Sequence, residues 1–236
     1  MATIETATET DRPCWRCRRP TGEAPFCPYC EAILPLPAEA DYFTILGLDA
    51  RRMRLEPESL EETFYTLSRQ VHPDRYQNRS PGELQVAEER SASLNVAYQT
   101  LRNPVARAEY LLSLEGDSGG EAQGQPSAEL LLEIMEIEET VEAYRDSEEA
   151  DREDLEGSLK EAHRSLETRS EATEAELHES FERWDRRVVE EGSDEAKAPL
   201  LSRFREILHH RRYLATIVRD VAAALASEPP PEQDGG

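Results

Sequence analysis

Pro73 cuts one long amphipathic pattern in two. A proline holds the residue before it in an extended conformation and has no N–H to donate, so a helix arriving from Leu60 stops near His72. Upstream, Leu60, Phe64, Leu67 and Val71 recur at helical spacing. Downstream, Leu84, Ala87, Leu94, Tyr98 and Leu101 lie on a similar stripe, interrupted by Ser91. Two amphipathic helices are thus expected to pack as a hairpin, with the polar tripeptide His72-Pro73-Asp74 held at its tip. Ser59 with Glu62, and Ser80 with Glu83 and Pro81, read as capping boxes for the two helices, which places the loop over roughly 72–80.

This order of helix, His-Pro-Asp and helix resembles the J domain, the module by which co-chaperones stimulate the ATPase of seventy-kilodalton heat-shock chaperones. The segment Asp41-Tyr42-Phe43-Thr44-Ile45-Leu46-Gly47-Leu48 resembles the opening helix of J domains. The segment from Ser93 to Leu101, with Pro104, Arg107 and Ala108 to Leu112, is similar to the HscB branch, the iron-sulfur cluster co-chaperones, as is Glu133-Ile134-Met135-Glu136-Ile137. The resemblance runs from residue 14 to about 226. It implies an activator of a partner ATPase of the HscA/DnaK type and not an enzyme, with His72, Pro73, Asp74, Arg69 and Arg75 facing the chaperone. An acid–base role for His72 and Asp74 lacks the burial and third oriented group that such catalysis needs. A purely structural reading makes them a capping histidine and a turn aspartate.

The cysteines carry a second chemistry. Cys14-x2-Cys17 and Cys27-x2-Cys30 place two thiolates on each of two tight knuckles, a spacing that lets four sulfurs converge on one structural zinc ion. A segment this short has little to bury and would need such a staple. Iron or a redox disulfide pair are the alternatives, the latter disfavoured in a reducing compartment. Arg16, Arg18 and Arg19 are expected to offset the charge of a four-thiolate site. Some HscB-like proteins carry a comparable module and many bacterial ones start at the J domain, so its role is expected in stability, oligomerisation (including a homodimer) or regulation.

The expected fold is all-α: a J-domain hairpin and a C-terminal three-helix bundle, preceded by a small zinc-ribbon-like four-cysteine module. The boundaries read as a flexible N-terminus over 1–13, the module over 14–34 and the J domain over 39–115. A linker over 116–127 then leads to the bundle over 128–226 and a disordered tail over 227–236. Asn103 and Pro104 start the last J-domain helix, and Gly116 suits its end. In the bundle, Leu130, Ile134, Ile137, Val141 and Tyr144 mark one helix, and Leu201 to Leu225 another. Leu155, Leu159, Leu166, Leu177, Phe181, Trp184 and Val188 mark a long helix between them, with an expected exposed or interrupted stretch between Glu167 and Glu176.

The first bundle helix carries more apolar surface than one core stripe uses. Leu131, Leu132 and Met135 lie on a neighbouring face beside Glu136 and Glu139, the pattern of an interaction patch rimmed by carboxylates. A wide core stripe is the plainer reading. The resemblance to HscB matches these positions to those that bind the cluster scaffold IscU, and adds Tyr213 from the last helix. A formal net charge of −23 opposes binding to nucleic acid or anionic membrane. No apolar run is long enough to span a bilayer and the first residues lack a presequence pattern, so a bacterial-type cytoplasm is expected. General J proteins for unfolded clients would normally add a Gly/Phe-rich segment or β-rich domains. A zinc-dependent interaction adaptor would require the cysteine module to be the active part.

Overall fold

The computed structural model describes residues 12–22, 24–48, 50–116, 128–147 and 149–227. The expected flexible N-terminus up to residue 11, the linker from 117 to 127 and the tail from 228 lie outside the described residues, as does the side chain of Leu130. Among the described residues the structure is all-helical, with seven α-helices and only two isolated β-bridges, Pro13 to Pro20 and Phe26 to Ile33. The chain divides into two compact units, Met1–Tyr110 and Leu111–Gly236.

The first unit holds the cysteine module and the helices α1 (Tyr42–Ile45), α2 (Pro57–Val71) and α3 (Pro81–Arg102), together with the start of α4 (Pro104–Leu114). The expected opening helix is a single turn. Asp41 caps it, accepting from the Thr44 amide at 2.9 Å, and Gly47 then reverses the chain with a positive φ of 70°. Helix α2 begins earlier than its serine signal: Glu56 is the N-cap without a side-chain bond, Pro57 stands in the first turn, and Ser59 lies inside the helix. Proline's preset φ extends the helix past the expected Ser59–Glu62 box, which does not form the cap. The second box is present, with both halves of the Ser80–Glu83 exchange made. Asn103 caps α4 by accepting from Val105 and Ala106 at 2.9 and 3.1 Å.

Apolar burial explains why these helices associate. Phe43, Leu46, Leu60, Val71, Ala87, Leu94, Ala97, Leu101 and Ala108 are all buried. Phe64 of α2 stacks on Tyr98 of α3 at 4.2 Å between ring centroids, and Tyr42 stacks on Tyr110 at 4.1 Å. Such pairs contribute about 0.5–1.5 kcal/mol beyond the area they bury.

The second unit contains α5 (Ala128–Asp146), α6 (Glu149–Trp184) and α7 (Asp194–Ala226). Ile137, Val141 and Tyr144 from α5 meet Leu159 and Leu166 from α6 and Leu214, Ile217 and Val221 from α7 in one core. Farther along, Phe181 and Trp184 pack their rings against Phe204 at 5.7 and 6.0 Å. Helix α6 does not break between Glu167 and Glu176. Leu159, Leu166, Thr173 and Ser180 fall seven residues apart and are all buried, so the seam continues through hydroxyl residues. Each hydroxyl donates to the carbonyl four residues back, Thr173 to Arg169 and Ser180 to Glu176, both at 2.8 Å. That bond satisfies the polar group internally and lets it occupy a core position. Val188 lies in a π-helical turn, Asp185–Glu190, before Gly192 turns the chain and Ser193 caps α7.

Candidate functional site

The loop that carries His72-Pro73-Asp74 begins where α2 ends. His72 is the C-cap of α2 and the N-cap of a short 3₁₀ turn, Pro73–Tyr76, with an extended backbone at ψ 128°. Its Nδ1 accepts from the Asp74 amide at 3.3 Å, and Asp74 Oδ1 accepts from Gln77 Nε2 at 3.1 Å. The side chains of His72 and Asp74 are nonetheless 53% and 72% exposed. The tip is ordered by its own bonds and presented outward.

The next two residues brace it. Arg75 donates one guanidinium N–H to the Arg69 carbonyl at 2.9 Å, and the Tyr76 hydroxyl donates to the Gln70 carbonyl at 3.1 Å. Both acceptors belong to the last turn of α2, whose carbonyls have no helical partner. Arg75 therefore has a structural task beside its charge, which sequence reasoning missed. Arg69 and Arg75 are both exposed.

In the module, the four sulfurs lie within 4.8 Å of one another, with Cys14 to Cys30 at 3.7 Å and Cys17 to Cys27 at 3.6 Å. Four thiolates about 2.3 Å from a central zinc ion stand about 3.8 Å apart in a tetrahedron, so the donor set fits a closed metal site. The knuckles are built alike. Arg18 bonds back to Cys14 and Glu31 to Cys27, each through its amide at 2.9 Å, and both adopt left-handed backbones, φ 65° and 59°. The Arg16 amide at 3.3 Å and the Cys17 amide at 3.5 Å point at Cys14 Sγ.

Burial opposes ionisation of Cys14, yet those amides and the neighbouring thiols lower it to about 7. Cys30 receives the Ala32 amide, but burial and the three other sulfurs push it up to about 12. Four adjacent thiols do not all ionise without a cation among them, which is the chemistry a bound metal supplies. Of the arginines expected to offset the site's charge, Arg16 pairs with Glu83 at 3.4 Å and Arg19 lies over the Tyr29 ring at 5.0 Å, while backbone amides point at Cys14 Sγ.

On α5, Leu131, Leu132 and Met135 are 41%, 62% and 63% exposed, while Ile137 and Val141 are in the core. Glu136 and Glu139 are exposed beside them. Glu133 turns the other way and pairs with Arg169 of α6. Tyr213, half-buried, directly precedes the core residue Leu214 on α7. Among the described residues no helix is long and apolar enough to cross a membrane.

Comparison with known proteins agrees with this geometry. Residues 41–110 match the DnaJ domain model. The crystal structure of the human co-chaperone protein HscB is 26% identical, covers 90% of this chain and 98% of its own, and superimposes with a TM-score of 0.61. The chaperone HscB from Vibrio cholerae is 24% identical, covering 78% of this chain and 96% of its own with a TM-score of 0.52, a likeness of fold. A His-Pro-Asp tip between α2 and α3 inside a matched DnaJ domain defines a J-domain protein. The human HscB alignment continues through the helical second unit, so over most of its length the chain is similar to an HscB co-chaperone.

Proposed function

We propose that this chain stimulates the ATPase of a seventy-kilodalton heat-shock chaperone of the HscA/DnaK type and delivers the iron-sulfur scaffold IscU to it. The observation that carries the reading is the exposed, internally bonded His72-Pro73-Asp74 tip. A tip already ordered loses little conformational entropy when a partner binds. Asp74 offers a carboxylate to a cationic partner group, and Arg69 and Arg75 offer positive charge to an acidic one. The chain acts as an activator, and the hydrolytic chemistry belongs to the partner.

The scaffold is assigned to the α5 face of Leu131, Leu132 and Met135, rimmed by Glu136 and Glu139 and joined by Tyr213. Exposed apolar side chains of this size on a helix whose core stripe is already filled support a docking role. Cys14, Cys17, Cys27 and Cys30 hold one structural zinc ion, with no open coordination position for catalysis. The protein is assigned to a reducing, bacterial-type cytoplasm, in which the four cysteines stay reduced and able to bind the metal. Replacing His72 with glutamine is expected to abolish chaperone stimulation and leave scaffold affinity unchanged. Normal stimulation by H72Q overturns the assignment.

A further inference from the structure

The cysteine module does not stand apart from the J-domain helices. Trp15 lies against the start of α3, two of its ring atoms 3.5 and 3.6 Å from where a Cβ on Gly82 would stand, and its Nε1 donates to the Ile33 carbonyl at 2.8 Å. Those are ordinary van der Waals distances, so the indole lies in contact with the first turn of the helix. Arg90, two turns along, donates to the Leu34 carbonyl at 2.7 Å and the Pro25 carbonyl at 3.4 Å, on either side of the second knuckle. The third contact is Arg16 on Glu83.

Glu83 is the residue on which this arrangement turns. It is buried, and its Oε2 accepts from the Ser80 amide at 3.3 Å and the Ser80 hydroxyl at 2.9 Å, closing the far end of the His-Pro-Asp loop. Its Oε1 faces Arg16 of the module. One carboxylate therefore joins the loop's end to the metal-binding segment. On the loop side, Phe26 and Glu31 of the second knuckle line a cleft of about 310 Å³ together with Gln70, Arg75 and Arg79.

We propose that Trp15, Arg16 and Arg90 are positioning residues for the His-Pro-Asp tip, and that metal occupancy of the module sets how well that tip is ordered. The buried cluster of the module is small, Cys14, Cys27, Ala32 and Leu34, so its fold depends on the metal. When the knuckles open, Trp15 and Arg16 leave α3, and Glu83 loses a cationic partner while still buried. The Ser80–Glu83 box is then the part of the loop that loosens. The inference extends the reading of the tip as chaperone-facing, but its main readout needs no chaperone.

The test is amide hydrogen exchange of the full chain under reducing conditions, zinc-loaded against chelated, with zinc-loaded R16A and R90M alongside. The expected result is at least tenfold faster exchange over residues 72–83 on chelation. Amides of the α2 interior and of α5 to α7 should not change. R16A, an exposed substitution, should reproduce a several-fold part of the effect while still binding one zinc, and R90M should do the same if it retains metal. Unchanged exchange at the loop in both the chelated protein and R16A overturns the proposal. So does a uniform rise through α2, which would make the module a general stabiliser. ATPase assays on the same samples separate the two readings: loop exchange that responds to metal, with no stimulation in any state, supports positioning and removes the chaperone assignment alone.

Discussion

Replacing Leu131, Leu132 and Met135 together with alanine tests the scaffold face most directly. Full burial of a leucine or methionine side chain is worth about 1.5–3 kcal/mol. With 41%, 62% and 63% of these residues still exposed in the free chain, docking can gain about 1 kcal/mol from each. Alanine retains part of that, and adjacent residues do not contribute independently, so the triple variant should lose about 2–3 kcal/mol of scaffold binding. This is a weakening of roughly 30- to 150-fold in Kd. The bundle itself should be little affected, because these side chains lie outside its core cluster and alanine is the best helix former. The assay is calorimetric titration of the IscU-type scaffold, with thermal unfolding of each variant as the control. I137A serves as contrast: it removes a core side chain and should destabilise the bundle by about 2–5 kcal/mol. If the triple variant binds the scaffold as tightly as the parent, the α5 face is not the docking surface and the area reasoning fails with it.

Two further outcomes are expected. Metal analysis of reduced protein should give one zinc per chain, and replacing Cys27 with serine should lower that sharply; a parent value well below one would remove the four-thiolate site. Asp41 titrates below its ordinary value of 3.8, since the Thr44 amide and Arg51 favour its carboxylate more than partial burial opposes it. Its contribution is therefore fully present above that ordinary value and is lost as pH falls through the lower folded one. D41A should cost about 0.5–2 kcal/mol near neutral pH, and the gap to the parent in denaturant titrations should close in strong acid. A gap that persists unchanged there would contradict the cap and ion-pair account.

Which parts of this structure were legible in the sequence follows from the range of the physics involved. The Ser80–Glu83 box and the Asn103 cap are bonds between residues three or fewer positions apart, so their residue types specify them directly. The Cys-x2-Cys pairs announce a converging donor set for the same reason. Glu56 and Pro57 displaced the expected start of α2 because a favourable proline can outweigh a nearby serine. The stretch between Glu167 and Glu176 read as exposed or interrupted because hydropathy scores Thr173 as polar, although its i−4 bond satisfies it inside the core. The stay of Arg75 and Tyr76 on the end of α2 requires knowing where the 3₁₀ turn aims them. Least visible was the dock of the module on α3, since nothing in Arg16 or Arg90 names a partner more than fifty residues away. The exposed face of α5 could be read as surplus hydrophobicity, because a helix has one core-facing stripe and Leu131, Leu132 and Met135 lie off it.

The dock also bears on the order in which a newly made chain acquires its structure. The cysteine tetrad closes a short loop, whereas Arg16 to Glu83 and Leu34 to Arg90 close loops more than three times longer. Loop closure alone makes the longer contacts more costly by about 1 kcal/mol. During synthesis the knuckles leave the ribosome first and can take up metal while Gly82 and Arg90 are still unmade. The helical hairpin then forms from nearer contacts. The seating of Trp15 on Gly82 joins the metal-held knuckle to the helix, so this contact requires both to be in place.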